Sequence, residues 1–152
     1  MTKKYERSIW WVKRDFRLID NDAFSLALCE SQEVLPAFCY EPLLLNGPDW
    51  GKFHTYSLLQ AQASLRKNLQ AFGSALYVSE EEAIETFEKI RLSYDFSAIY
   101  AHEETGLAHT FARDKNVATW CASKGIRFIE VRNNGIIRKL KTRDAWEGKF
   151  KE

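Results

Sequence analysis

Apolar residues in this chain fall into five short bursts separated by longer stretches of helical spacing. Ser8–Lys13 (SIWWVK), Glu33–Tyr40 (EVLPAFCY), Ala75–Ser79 (ALYVS), Ala98–Ala101 (AIYA) and Arg127–Val131 (RFIEV) read as strands. Most are apolar at successive positions rather than alternating. Such runs suit strands covered on both faces.

The stretches between them read as helices. Asp20 or Asn21 can cap a helix running to about Glu30. Phe53 to Phe72 places Leu58, Leu65, Leu69 and Phe72 on one stripe, and Gly73 ends it. Ser79 with Glu82 offers a capping box for a third helix, in which Ile84, Phe87 and Ile90 recur at threefold spacing. Leu107 to Lys124 is a fourth, stopped by Gly125. No internal repeat or low-complexity linker interrupts the pattern.

Strand and helix alternating in this way predict an α/β fold: a five-stranded parallel sheet with helices on both faces and right-handed crossovers. In such sheets ligands bind beyond the carboxyl ends of the strands, near the point where strand order reverses. Three loops follow from that rule: Arg14–Asn21, Glu41–Lys52 and His102–Gly106.

Size and composition narrow the picture. With 152 residues, 45% hydrophobic and 28% charged, the chain is one ordinary globular domain rather than a disordered one. Its apolar runs, such as Leu43–Leu45, are far short of the ~18–20 residues of a membrane span, and no signal peptide follows the charged first residues. Lys and Arg total 22 against 21 acidic residues, so net charge gives no reason to expect nucleic-acid binding. Residues 132–152 hold seven Lys/Arg and three Asp/Glu, a local net of +4 that could meet phosphate or an acidic partner, or simply be solvated. Cys29, Cys39 and Cys121 have no CxxC spacing, which fits reduced thiols in a cytoplasmic protein and no structural zinc.

Familiar motifs fail on inspection. No GxGxxG follows the first strand. Gly47-Pro48-Asp49-Trp50-Gly51-Lys52 is one residue short of a phosphate loop, and Phe53 replaces its Ser/Thr. His102-Glu103-Glu104 with His109 is not HExxH, because the second His is seven residues on. No His stands beside a convincing Ser or Cys nucleophile.

The three loops carry the candidate chemistry. Arg14, Asp15, Arg17 and Asp20 put four charges into seven positions, either a surface that orients a ligand or domain, or a salt-bridged helix cap. Glu103 and Glu104 could accept hydrogen bonds from a heterocycle's N–H groups, or serve as helix N-terminal residues. Phe38, Cys39, Tyr40, Trp50, Phe53 and His54 surround the second loop, as walls of a slot for a flat ligand or as ordinary strand-end core.

Three segments then point to one family. WVKRDFRLIDNDAF resembles the W-[FY]-x-R-D-[LF]-R-x-x-D-N-x-A-L signature that opens the photolyase/cryptochrome family, matching at Trp11, Arg14, Asp15, Arg17, Asp20, Asn21 and Ala23. HEETGLAHTFARDKNV resembles the segment after the fourth strand, with its acidic loop and Ala112-Arg113-Asp114. NNGIIRKLKTRDAW resembles N-G-[VI]-[IV]-R-[KR] at the domain's end. The three occur in the family's order across nearly the whole chain.

The resemblance implies a Rossmann-like, three-layer α/β/α amino-terminal domain over residues 1–135, with 136–152 a basic segment leading to an absent FAD-binding domain. It implies a light-harvesting role, with an antenna chromophore that is methenyltetrahydrofolate, a deazaflavin or FMN according to branch. FAD, the tryptophan electron relay and the pocket for damaged DNA would belong to the missing helical domain. The parent would be a deoxyribodipyrimidine photolyase, a carbon–carbon lyase, whereas this chain alone would be inactive. A cryptochrome photoreceptor fragment and a free-standing Rossmann-like nucleotide-binding protein are the alternatives. By resemblance, Glu104 foremost, then Glu103, Phe38, Cys39, Tyr40, His54, Arg14, Asp15 and Arg17, border the antenna. Arg138 and Lys139 match a basic segment suited to an interdomain contact. The chain departs from the family pattern at Tyr40-Glu41, where many members carry Asp, and at Phe53, where many carry Arg. The partner is its own FAD domain, and the isolated chain is expected to be a monomer.

Overall fold

All five apolar bursts form strands in the computed structural model, which describes residues 3–133 together with Ile136, Arg138 and Thr142. The strands are β1 (Tyr5–Val12), β2 (Ser31–Cys39), β3 (Tyr77–Ser79), β4 (Ala98–His102) and β5 (Arg127–Val131). They form one parallel sheet in the order β3-β2-β1-β4-β5. The chain steps outward from β1 to β3, then returns to the other side of β1 for β4. The order therefore reverses between β1 and β4.

The pleat divides the core. Alternate residues of a strand face opposite sides of its sheet. Ile9, Trp11, Ala37, Cys39, Ile99 and Ala101 pack against Ala83, Phe87 and Ile90 of α4 (Ala83–Arg91) and Val117 and Cys121 of α5 (Ala108–Ser123). Trp10, Val12 and Phe38 pack the other way, against Ala23 of α1 (Asp22–Glu30) and Leu65 and Leu69 of α3 (Lys52–Ala71). The result is the expected three-layer sandwich. β1 is central and apolar on both faces, which is why its sequence does not alternate.

Local signals act mostly as read. The Asn21 side chain accepts from the Phe24 N–H at 2.9 Å and caps α1. Asp20 precedes it at φ 54°, in the left-handed region that Asp tolerates better than most residues. Gly73 and Gly125 end α3 and α5 at φ 70°, where a Cβ would be strained.

Several expectations are corrected. β1 starts earlier than Ser8, because Tyr5 and Arg7 pair with Ser31 and Glu33. β2 starts directly after α1 and ends before Tyr40. β3 is only Tyr77–Ser79. Ser79 does not cap α4. Glu82 is its N-cap residue, and the Ser79 hydroxyl instead accepts from the Glu81 N–H at 3.2 Å. Phe72 leaves the α3 stripe: it is the C-cap residue and 81% exposed. A one-turn helix, α2 (Pro42–Leu45), lies in the expected second loop and opens on Pro, whose φ and missing N–H suit a first helical position. The segment 136–152, including Lys139 and Trp146, falls outside the described residues apart from Ile136, Arg138 and Thr142. Among the described residues no helix is long and apolar enough to cross a membrane.

Candidate functional site

The carboxyl ends of β1 and β2, the loop after β4, and helices α2, α3 and α5 enclose a cavity of about 550 Å³. That volume lies within the range typical of small-molecule sites. Its walls differ in kind. Phe16, Phe38, Leu44, Leu45, Trp50 and Leu58 make an apolar wall toward α2 and α3. Lys13, Arg14, Glu41, Glu104 and Arg113 make a charged wall toward α5.

The pleat builds the charged wall. Lys13 follows Trp11 on one face, and Glu41 follows Cys39, so both side chains leave their strands toward α5. There Asp114 occupies a buried stripe with Thr110, Val117 and Cys121. Arg113 is the hub. Its guanidinium donates to Glu41 Oε2, to Glu104 Oε2 at 3.2 Å, and to Asp114 Oδ1 at 2.8 and 2.9 Å. The Lys13 ammonium donates to the other Asp114 oxygen. Arg14 Nη2 and the Gly106 N–H donate to Glu104 Oε1 at 2.6 and 2.7 Å. Below this layer the Trp11 ring receives Arg113 at 4.8 Å and Lys13 at 5.1 Å. Three carboxylates and three cations thus neutralise one another, an arrangement that makes burial of each charge tolerable.

Glu41 and Lys13 in the wall are held away from their ordinary titration in opposite directions. Burial pushes the Glu41 carboxyl up to about 7, although Arg113 pulls the other way. Glu41 Oε1 is buried and has no hydrogen-bond partner among the described residues. Burial likewise draws Lys13 below the ordinary lysine range, with Asp114 opposing. Glu104, in contrast, has both oxygens occupied by its own chain and is 3% exposed.

The residues singled out from sequence divide. Arg14, Phe38, Cys39, His54 and Glu104 line the cavity. Tyr40 does not. It points to the α3 side, packs edge-on against Phe38 and donates its hydroxyl to Gln62. Asp15 turns toward His102, 3.3 Å from Nδ1, while Arg17 ties back to Asp15 and to the Asp20 carbonyl at 3.0 Å each. Burial lowers the His102 pKa, with Asp15 opposing. Glu103 pairs with Arg138 at 3.1 Å, and Glu130 holds the same guanidinium at 2.9 Å. Arg138 is thereby bound within the domain itself. The Cys39 thiol is pushed up to about 12 by burial, which leaves it a small apolar wall residue rather than a nucleophile.

Sequence reasoning passed over Lys13, Glu41, Arg113 and Asp114 as site residues. The signal was present in Asp114, the one charge on a buried helix stripe, which implies a buried partner. No group of three or more His, Cys, Asp or Glu that could hold a metal ion occurs among the described residues.

Comparison with known proteins bears on this geometry. The family model described as DNA photolyase matches residues 8–147. The chain is 31% identical over 107 residues to a blue-light photoreceptor of Arabidopsis thaliana, covering 64% of this chain and 23% of that protein. It is 30% identical over 104 residues to the chloroplastic/mitochondrial cryptochrome DASH of the same plant, covering 64% of this chain and 18% of that protein. Among solved structures it resembles the archaeal photolyase of Sulfolobus tokodaii, described with two FAD molecules and a novel light-harvesting cofactor. The TM-score is 0.76 at 26% identity, covering 94% of this chain and 34% of that one. The matched parts thus span between 18% and 34% of these relatives' own lengths.

Proposed function

This chain belongs to the DNA photolyase family, and from that premise we propose that it is a light-harvesting α/β domain whose cavity holds an antenna pigment. The observation that carries the reading is the cavity itself. About 550 Å³ at the carboxyl end of a parallel sheet is walled by aromatic and aliphatic side chains on one side and a neutralised charge network on the other. A flat heterocycle suits such walls: Phe38 and Trp50 would hold it by apolar contact and Glu41 by hydrogen bonding. The donor set fits. Glu41 Oε1 is a buried acceptor without a partner, the group that a ring N–H would satisfy. Glu104 is the more heavily bonded carboxylate, accepting from Arg14, Gly106 and Arg113. Its part is to fix Arg14 and Arg113.

When bound, the pigment would supply light absorption and pass its excitation to a flavin without any covalent step. The chain's residues orient it and exclude water. Methenyltetrahydrofolate, a deazaflavin and FMN are the candidate pigments. Absorption and fluorescence titration of this chain with each, and with ATP as a control, tests the reading. Saturable binding of one pigment, weakened in Glu41→Ala, is expected; binding of ATP alone, or of none, would overturn it.

We further propose that the partner of this domain is a FAD-bearing domain that acts on damaged DNA under light, a reading that the archaeal photolyase supports. The plant blue-light photoreceptor and cryptochrome DASH relatives favour the alternative, a cryptochrome photoreceptor. Blue-light repair of pyrimidine dimers by a protein uniting this domain with its flavin domain decides between them. Background repair with light-dependent partner binding would favour the cryptochrome.

A further inference from the structure

The outward side of α3 carries apolar side chains that nothing in the domain covers. A helix laid on a sheet buries one stripe and leaves the opposite side to solvent, where polar residues are the rule. The buried stripe of α3 holds Gln62, Leu65 and Leu69, and His54, Ser57, Leu58 and Ala61 line the cavity. At 3.6 residues per turn, Phe53, Tyr56, Leu59, Ala63 and Lys67 fall on the side away from both. All five are exposed, Phe53 at 88%. Every residue from Lys52 to Ser57 is exposed, so the helix begins clear of the sheet. Its charges are one-sided as well. The twenty residues of α3 include Lys52, Arg66 and Lys67 and no Asp or Glu. None of these three cations makes an ion pair among the described residues, whereas α4 and α5 carry charges of both signs.

We propose that the outward face of α3 is where the FAD-bearing domain docks, and that the surface it brings is apolar at its centre and acidic at its rim. The proposal rests on the reading above that such a domain is the partner, and it adds where that domain sits. Three observations carry it. The exposed apolar residues lie between a cation at the start of the helix and two near its end, which calls for an apolar patch flanked by acids. The backbone is last fixed at the edge of the sheet where α3 begins: Arg138 is held by Glu103, just past β4, and by Glu130, near the end of β5. A domain that follows in sequence therefore starts from that edge. Ser57, Leu58 and Ala61 place the cavity directly behind this face, so a domain seated on it lies one helix diameter, about 10 Å, from the cavity wall. A second copy of this chain is a poor cover. Antiparallel stacking of two α3 helices would set Lys52 of one against Arg66 and Lys67 of the other, and parallel stacking would superpose like charges.

Hydroxyl-radical footprinting read by mass spectrometry tests this, on the chain alone and on a protein uniting it with its flavin domain. Phe53, Tyr56 and Leu59 should react at least about fivefold more slowly in the united protein, as residues in a dry interface core do. Phe72, 81% exposed at the other end of the same helix, should react equally in both. Charge reversal by Lys52→Glu, Arg66→Glu and Lys67→Glu together should abolish about half of the protection or more, Gln at the same positions less, and added salt should weaken the wild-type protection. The three positions are exposed, and circular dichroism checks that the variants fold. Protection of Ile19, Leu28 and Phe72 in place of Phe53 and Tyr56 would overturn the assignment to α3 and leave the flavin-domain reading standing. Protection that survives charge reversal would overturn the acidic rim. Slow reaction of Phe53 and Tyr56 in the chain alone, lost on dilution, would give the face to a second copy. No protection anywhere on this chain in the united protein would overturn both the docking face and the partner reading.

Discussion

Arg14 and Asp15 are neighbours in the chain, and so are Glu103 and Glu104, yet the fold sends the members of each pair to different regions. Arg14 and Glu104 join the charged wall of the cavity at the carboxyl end of the sheet. Asp15 and Glu103 turn to the far side of the strand-order reversal, toward His102 and Arg138. The first region is largely buried and bonded around Arg113. The second is half-exposed and built from separate pairs. Identical residue types therefore carry very different energetic weight, set by burial and by how many partners each charge satisfies.

The sharpest way to break that contrast is to remove the hub. Arg113→Ala leaves Glu41, Glu104 and Asp114 without a shared cation in a buried setting. Denaturant unfolding should show a loss of about 3–5 kcal/mol. Arg17→Ala, in the exposed region, should cost less than about 1 kcal/mol. Equal losses would mean that the wall is not the buried network its distances describe.

The paired carboxylates give the next comparison. Glu104→Gln breaks charge-assisted bonds to Arg14 and Arg113 and should lower stability by roughly 1–3 kcal/mol. It should also weaken pigment binding by disordering Arg14. Glu103→Gln gives up a partly exposed pair with Arg138 and should cost under about 1 kcal/mol with unchanged pigment affinity. The same titrations, run on both variants, check the asymmetry.

Glu41 sharpens the contrast through pH. Its carboxyl is raised from 4.5 to about 7 in the folded state, so the folded chain holds a proton that the unfolded chain has released between those values. The wild type should therefore lose stability relative to Glu41→Gln as pH rises from 4.5 through 7, by roughly 3 kcal/mol, and level off above. Urea melts of both proteins across that range measure the difference. A gap that widens in favour of the wild type would contradict it.

The smallest effect concerns Tyr40, which resemblance placed beside the ligand. Its hydroxyl serves buried Gln62 instead. Tyr40→Phe should cost about 1 kcal/mol of stability and leave pigment affinity unchanged.

These cases show what the sequence made legible. The strands of the doubly covered sheet stood out because burial on both faces demands continuous apolar runs, as in Ile9-Trp10-Trp11-Val12. The one-turn α2 did not, since so few residues carry little periodicity, and the short β3 was read two residues too long for the same reason. The loops that frame the cavity followed from topology. Which side chains enter it did not, because Glu103 and Glu104 differ only in the direction the chain takes on leaving β4. Glu41 was flagged only as a departure from a family pattern. Its position two residues beyond Cys39, on the same pleat face, is what brings it to Arg113. Tyr40, one residue earlier, goes to the opposite face for the same reason.

The most direct measurement follows the tryptophan indole N–H signals by NMR during pigment titration. Trp50 lines the cavity and donates to Thr55 at 2.9 Å, whereas Trp120 lies in the α4–α5 core and donates to Glu88 at 2.8 Å. With a pigment in the cavity, the Trp50 signal should shift to saturation and the Trp120 signal should stay in place. A Trp120 shift with Trp50 unmoved, or no shift in either at saturating pigment, would contradict the central claim that this cavity is the pigment site.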